Sequence, residues 1–154
     1  VIIVDKYEVA KKKLIDSGWY EGRKIDISDL EKSLTEDGYV VSNTVRDFLE
    51  EFGLLKISFN NPKNNKFINT IYVDPRKTGV FKSVIDAYGR HCNTTMVPVA
   101  DLPKHCMTIC ITEDGHFYGG YDDWLLKLGD DFFEALYNLL SGTEIKPEMV
   151  KLND

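Results

Sequence analysis

The twelve residues EDGHFYGGYDDW, 113–124, combine four acids, a histidine and four aromatics, a mix suited to a metal-dependent active-site loop. Asp122 and Asp123, with Asp130 and Asp131 close behind, are the carboxylate type that holds magnesium for phosphoryl transfer. A small metal-dependent hydrolase built on this stretch would use Asp122, Asp123 and Asp130. The competing reading is structural. Asp130 and Asp131 open a helical pattern, where carboxylates accept hydrogen bonds from free backbone N–H groups. Asp122 and Asp123 precede the apolar run WLLKL and read as a solvated bend or a negative surface patch. Gly119-Gly120 brings no lysine and starts no helix, so it makes no phosphate cradle.

His91, Cys92, His105, Cys106 and Cys110 have the residue types of a zinc site but not its spacing. Cys106 and Cys110 fall four apart in an expected strand, about 13 Å along the chain. One zinc ion does not bridge that distance, and neither does a disulfide. Nucleophilic catalysis by Cys92 or Cys106 fares no better. In a strand, His105 and Cys106 point to opposite faces, and His91 follows a helix stop, where a positive side chain suits the helix dipole. No metal, cofactor or catalytic residue is therefore assigned.

What remains is a binding surface. Asp114, Tyr121, Asp122, Asp123 and Trp124 have the aromatic-plus-charge composition of protein interfaces. Their placement depends on a hairpin at Asp114-Gly115. A two-residue loop there pairs Ile111 with Tyr118 and Ile109 with Gly120, setting Tyr118 on the face of Ile109 and Ile111. The glycines of this strand allow a bulge or the close approach of a helix.

These residues need a scaffold, and hydrophobic periodicity supplies it. Residues 5–17 read as a helix with Tyr7, Ala10 and Leu14 on one side, stopped by Gly18. Ser28 and Glu31 form a Ser-x-x-Glu capping box for a second helix with Leu30 and Leu34 inward. Val45, Phe48, Leu49 and Phe52 make one helical stripe between a Ser42 cap and a Gly53 stop. LLKISFN and KFINTIYVDP read as strands around the polar turn NNPKNN, 60–65. Phe81, Val84, Ile85 and Tyr88 repeat the helical stripe, closed by Gly89. TMVPVAD is short, and Pro98 puts it at an edge or strand end. CMTICIT alternates with Met107, Ile109 and Ile111 on one face. GDDFFEALYNLLSG closes the pattern as an amphipathic helix. Helices first, then strands with inserted helices, argue for a single α+β domain, a mostly antiparallel sheet flanked by helices. The domain spans residues 1–142, and 143–154 read as a loose polar tail.

Composition narrows the class. The 154 residues carry a net charge of −6, with 43% hydrophobic and 29% charged residues. The acidic balance argues against direct nucleic-acid binding, which needs a basic face. The apolar start VIIV is too short for a membrane span. Three cysteines do not make a secreted disulfide framework, so a reducing cytoplasm is the expected compartment.

Residues 17–55, SGWYEGRKIDISDLEKSLTEDGYVVSNTVRDFLEEFGLL, resemble the N-terminal half of SUKH-superfamily immunity proteins. The shared features are an opening Gly-Trp, an Arg-containing step and a helix ending in Glu-Phe-Gly. Residues 111–142 look like the closing Asp-Gly hairpin, Leu-Gly-Asp step and final helix of the same bacterial branch. Family members often have a second glycine after Glu-Phe-Gly, where this chain has Leu54. Residues 60–105 lie outside the resemblance. It implies a SUKH-like fold and a cofactor-free binding role: neutralising the toxin domain of a polymorphic toxin, often a nuclease. A nuclease is basic where it grips nucleic acid, and an acidic binder gains a fast, salt-sensitive on-rate against it. The alternative within the binding class is a general regulatory adaptor, as in eukaryotic relatives of the superfamily.

Overall fold

The computed structural model describes residues 4–153. Its helices and strands follow in the order α1 (Lys6–Asp16), α2 (Ser28–Glu36), α3 (Asn43–Phe52), β1 (Lys56–Asn60), β2 (Ile68–Tyr72), α4 (Lys82–Cys92), β3 (Met96–Leu102), β4 (Met107–Thr112), β5 (Phe117–Tyr121), β6 (Trp124–Gly129), α5 (Phe132–Ser141) and β7 (Glu148–Met149). Among the described residues, seven strands form one antiparallel sheet in sequence order. The single α+β domain is thus the expected class.

The helical stripes bury most of the residues the periodicity selects: Ala10 and Leu14 of α1, Leu30 and Leu34 of α2, Val45, Phe48, Leu49 and Phe52 of α3. Tyr7 stays largely exposed but lies on Phe133, ring centroids 4.6 Å apart. Phe48 and Phe52 meet Phe132 at 5.0 and 4.8 Å, and Phe117 of β5 meets Phe48 at 5.0 Å. This aromatic cluster fastens α3 and α5 to the sheet. Each buried ring contributes about 1.5–3 kcal/mol by leaving water.

The Gly-Trp and Arg positions of the N-terminal block hold the end of α3. Gly18 takes φ +107, and the Trp19 indole donates to Glu51 Oε2 at 3.0 Å. The Arg23 guanidinium donates to the carbonyls of Glu51 and Gly53 at 2.6 and 2.8 Å. These are carbonyls that a helix C-terminus leaves without intrahelical partners. Gly53 is required for space, since a Cβ there would lie 2.3 Å from the Leu49 carbonyl oxygen. The left-handed residue is the next one, Leu54, with φ 66.

Several local expectations are corrected. Ser28 does not cap α2: its N–H and hydroxyl both donate to Asp26 Oδ1, while Glu31 pairs with Arg46 at 2.6 Å. An Asx-type turn two residues upstream has displaced the capping box. Gly89 does not close α4 but sits inside it, where a Cβ would be 2.6 Å from the Thr94 carbonyl oxygen. The helix ends at Asn93, φ 60, and Phe81 precedes it at 81% exposure. β3 is an interior strand. Its Pro98 is tolerated because β2 meets β3 only at Tyr72 and Asp101, and the β4 register shifts between Pro98 and Ala100. β4 begins at Met107, leaving Cys106 outside with φ 51, and all six of its residues are buried. Both faces of the sheet are covered there, so alternation does not mark a solvent side.

The β4–β5 loop also differs from expectation. The Thr112 N–H donates to the His116 carbonyl, so the loop is the three residues Glu113, Asp114 and Gly115, with Gly115 at φ +85. Ile111 therefore pairs with Phe117, Cys110 with Tyr118 and Ile109 with Gly119. One residue of slip exchanges every face. Phe117 and Gly119 join Ile109 and Ile111 toward α3 and α5. Tyr118 and Gly120 join Cys110 and Thr108 toward α4.

Residues 143–154 are not a loose tail over their described length. β7 pairs with β6, and Val150 is buried with its N–H bonded to the Asp123 carbonyl at 2.7 Å.

Candidate partner-binding surface

WLLKL, 124–128, forms most of β6. Tyr121 stands opposite Trp124, so Asp122 and Asp123 are a two-residue hairpin turn. Such turns need positive φ at the first position. Asp122 supplies it at φ 51, and Asp is among the few non-glycine residues that tolerate this region. The turn is anchored on both sides. The Tyr88 hydroxyl donates to the Asp122 carbonyl at 2.6 Å, and the Val150 N–H holds the Asp123 carbonyl. Tyr88 reaches the turn from α4 by passing Gly120, where a Cβ would lie 2.3 Å from its ring. Burial, reinforced by Cys110, Asp122 and Asp123, pushes the Tyr88 phenol up to about 12, so it remains a donor at neutral pH.

Asp122 is exposed, while Tyr121, Asp123 and Trp124 are half-buried. Met149 of β7 pairs with Trp124 on the side away from Tyr121 and is 62% exposed. Aromatics and methionine are enriched at interfaces, so Met149 extends the surface chosen from sequence. Its only sequence signal was the short alternation Glu148-Met149-Val150 in a segment read as tail. A cavity of about 480 Å³ opens beside the turn, lined by Val80, Tyr121, Asp122 and Leu152 among others.

Asp114 is exposed but lies in the loop at the opposite end of β5. The structure brings Tyr121, Asp122, Asp123 and Trp124 together and leaves Asp114 apart. The carboxylates weighed for a hydrolase do not converge either. Asp130 lies past the far end of β6, roughly 20 Å from the turn at strand rise. A hydrogen bond from Lys127 at 2.8 Å holds the Asp130 carboxyl below its usual value. Asp131 caps α5 by accepting from the Glu134 N–H at 2.8 Å.

The thiols are equally separate. Cys110 is fully buried, and burial pushes it up to about 12. Burial also raises Cys92, against an opposing hydrogen bond with Tyr118. His105 bonds to Asn69 at 3.0 Å rather than facing Cys106. Among the described residues, no group of three or more His, Cys, Asp or Glu is placed to hold a metal ion. No helix among them is long and apolar enough to cross a membrane.

Fold and surface together define a class: a one-sheet α+β scaffold presenting an anchored acidic turn flanked by aromatic residues. A family model described as SUKH-3 immunity protein matches residues 6–142, and the chain belongs to that family. The match runs through residues 60–105, where the sequence motifs were silent. No curated protein and no solved structure matches the chain.

Proposed function

We propose that this chain neutralises a toxin by binding it, that the toxin is a basic nuclease domain, and that binding occurs in the cytoplasm. Membership of an immunity family supports a binding role. The observation that carries the placement is the Asp122–Asp123 turn, fixed by Tyr88 and Val150 and bordered by Tyr121, Trp124 and Met149. Charge distribution agrees: residues 106–154 hold ten acids against three lysines. An acidic surface docks on the groove a nuclease uses for phosphates and speeds encounter at low salt.

The test pairs the chain with the toxin encoded beside it and measures affinity at two ionic strengths. Changing Asp122 and Asp123 to asparagine removes two charges and keeps a residue that accepts positive φ. Association at low salt should slow roughly tenfold, with a smaller effect at high salt and an unchanged melting temperature. Unaltered binding at low ionic strength removes this turn from the interface.

A further inference from the structure

The face of the sheet toward α5 is not completely covered. Two cross-strand pairs, Phe59 with Asn69 and Leu102 with Met107, combine with Leu126 and Leu128 to floor a cavity of about 840 Å³. The loop at 61–64 and the segment 142–147 after α5 make its walls. Asn69 is the exception in this apolar floor. It is 1% exposed, its amide nitrogen lies 3.0 Å from His105 Nε2, and its Oδ1 has no hydrogen-bond partner among the described residues. Turning the amide over only exchanges the problem, because the nitrogen is then the unmatched atom. A buried polar atom without a partner destabilises the fold, and an apolar residue at this position would avoid that cost.

Sites for small molecules share this composition: a few hundred cubic ångströms or more, mostly apolar, with one or two polar groups that orient the ligand. We propose that the cavity binds a small, uncharged, largely apolar molecule whose hydroxyl or carboxamide head pairs with Asn69. Either head both donates and accepts, so it satisfies the amide in either orientation. The body of the molecule lies on Leu102, Met107, Leu126 and Leu128. The group at the buried polar end is a neutral amide, which an uncharged head matches, while the charged residues Lys63, Glu144 and Lys146 belong to the walls. The site is separate from the Asp122–Asp123 turn and does not depend on the toxin reading.

The test compares p-cresol with toluene, which differs by the hydroxyl alone, using methyl resonances of Met107, Leu126 and Leu128 in the intact chain. p-Cresol should shift these methyls saturably and bind about tenfold more tightly than toluene, as expected for one hydrogen bond to a buried acceptor. Asn69→Leu should equalise the two ligands. Leu126→Trp, which fills the cavity from a partly exposed position, should abolish both and guards against Asn69→Leu failing to fold. No shift with p-cresol, equal affinities in the native chain, or a preference that survives Asn69→Leu overturns the proposal.

Discussion

Replacing Gly120 by alanine drives a methyl group into Tyr88. The added Cβ would lie 2.3 Å from Tyr88 Cε2 and 2.6 Å from Cζ, whereas carbon atoms rest about 3.5–4.0 Å apart. One group must therefore retreat by more than about 1.2 Å. Tyr88 is almost fully buried, and its hydroxyl is tied to the Asp122 carbonyl at 2.6 Å. A retreat of that size takes the hydroxyl out of hydrogen-bonding range. Overpacking costs about 1–3 kcal/mol and the lost bond about 1 kcal/mol more, so the variant should be roughly 2–4 kcal/mol less stable. For a chain of this length that lowers the melting temperature by about 5–12 °C. Thermal and urea unfolding measure it directly. The same substitution in a Tyr88→Leu background should cost at least about 1 kcal/mol less, because the two groups are in contact and their effects do not add. A melting temperature within a degree of the parent, or an equal cost in both backgrounds, refutes the close packing of Gly120 against Tyr88.

Leu54 holds a left-handed conformation that costs most residues about 1–2 kcal/mol, and it is half exposed. Leu54→Gly should stabilise the chain by about 0.5–1 kcal/mol after the entropy of glycine is counted, and a lower urea midpoint would contradict this. Phe48→Ala should cost about 3–5 kcal/mol, since the ring is buried among Phe52, Phe117 and Phe132. Phe133→Ala should cost less, because Phe133 is only half-buried between Tyr7, Trp19 and Phe52, and denaturant curves giving equal losses would argue against that ordering.

Helical stripes are the most legible part of the sequence because two to four apolar residues fall together on one face. α2 and α3 emerge with the expected buried sides, α1 does so except for Tyr7, and in α5 it is Phe132 rather than Phe133 that is buried. Single-residue signals were weaker. Gly89 reads as a stop, yet its role is to let α4 approach the Thr94 carbonyl. Pro98 reads as an edge or strand end, and it lies near the start of an interior strand where one neighbour has already turned away. The Asp114-Gly115 pair marks the hairpin but not its loop length, and one residue reverses the faces of β5. Of the candidate surface, Tyr121 to Trp124 form one corner while Asp114 does not join it. The two aspartates have a local duty that composition did not show: they are the turn itself. Met149 was missed because a strand of two residues leaves almost no periodicity to read.

The sheet ends on β7, two residues long, preceded by Pro147. It covers Trp124 and Leu125, while farther along β6 the Asn138 side chain donates to the Leu128 carbonyl at 2.7 Å. Little open backbone is left on that margin for another strand to extend. A partner docking beside the acidic turn, as proposed, would find few main-chain groups to zip onto. It would have to recognise side chains, and side chains can be exchanged one at a time without rebuilding the sheet.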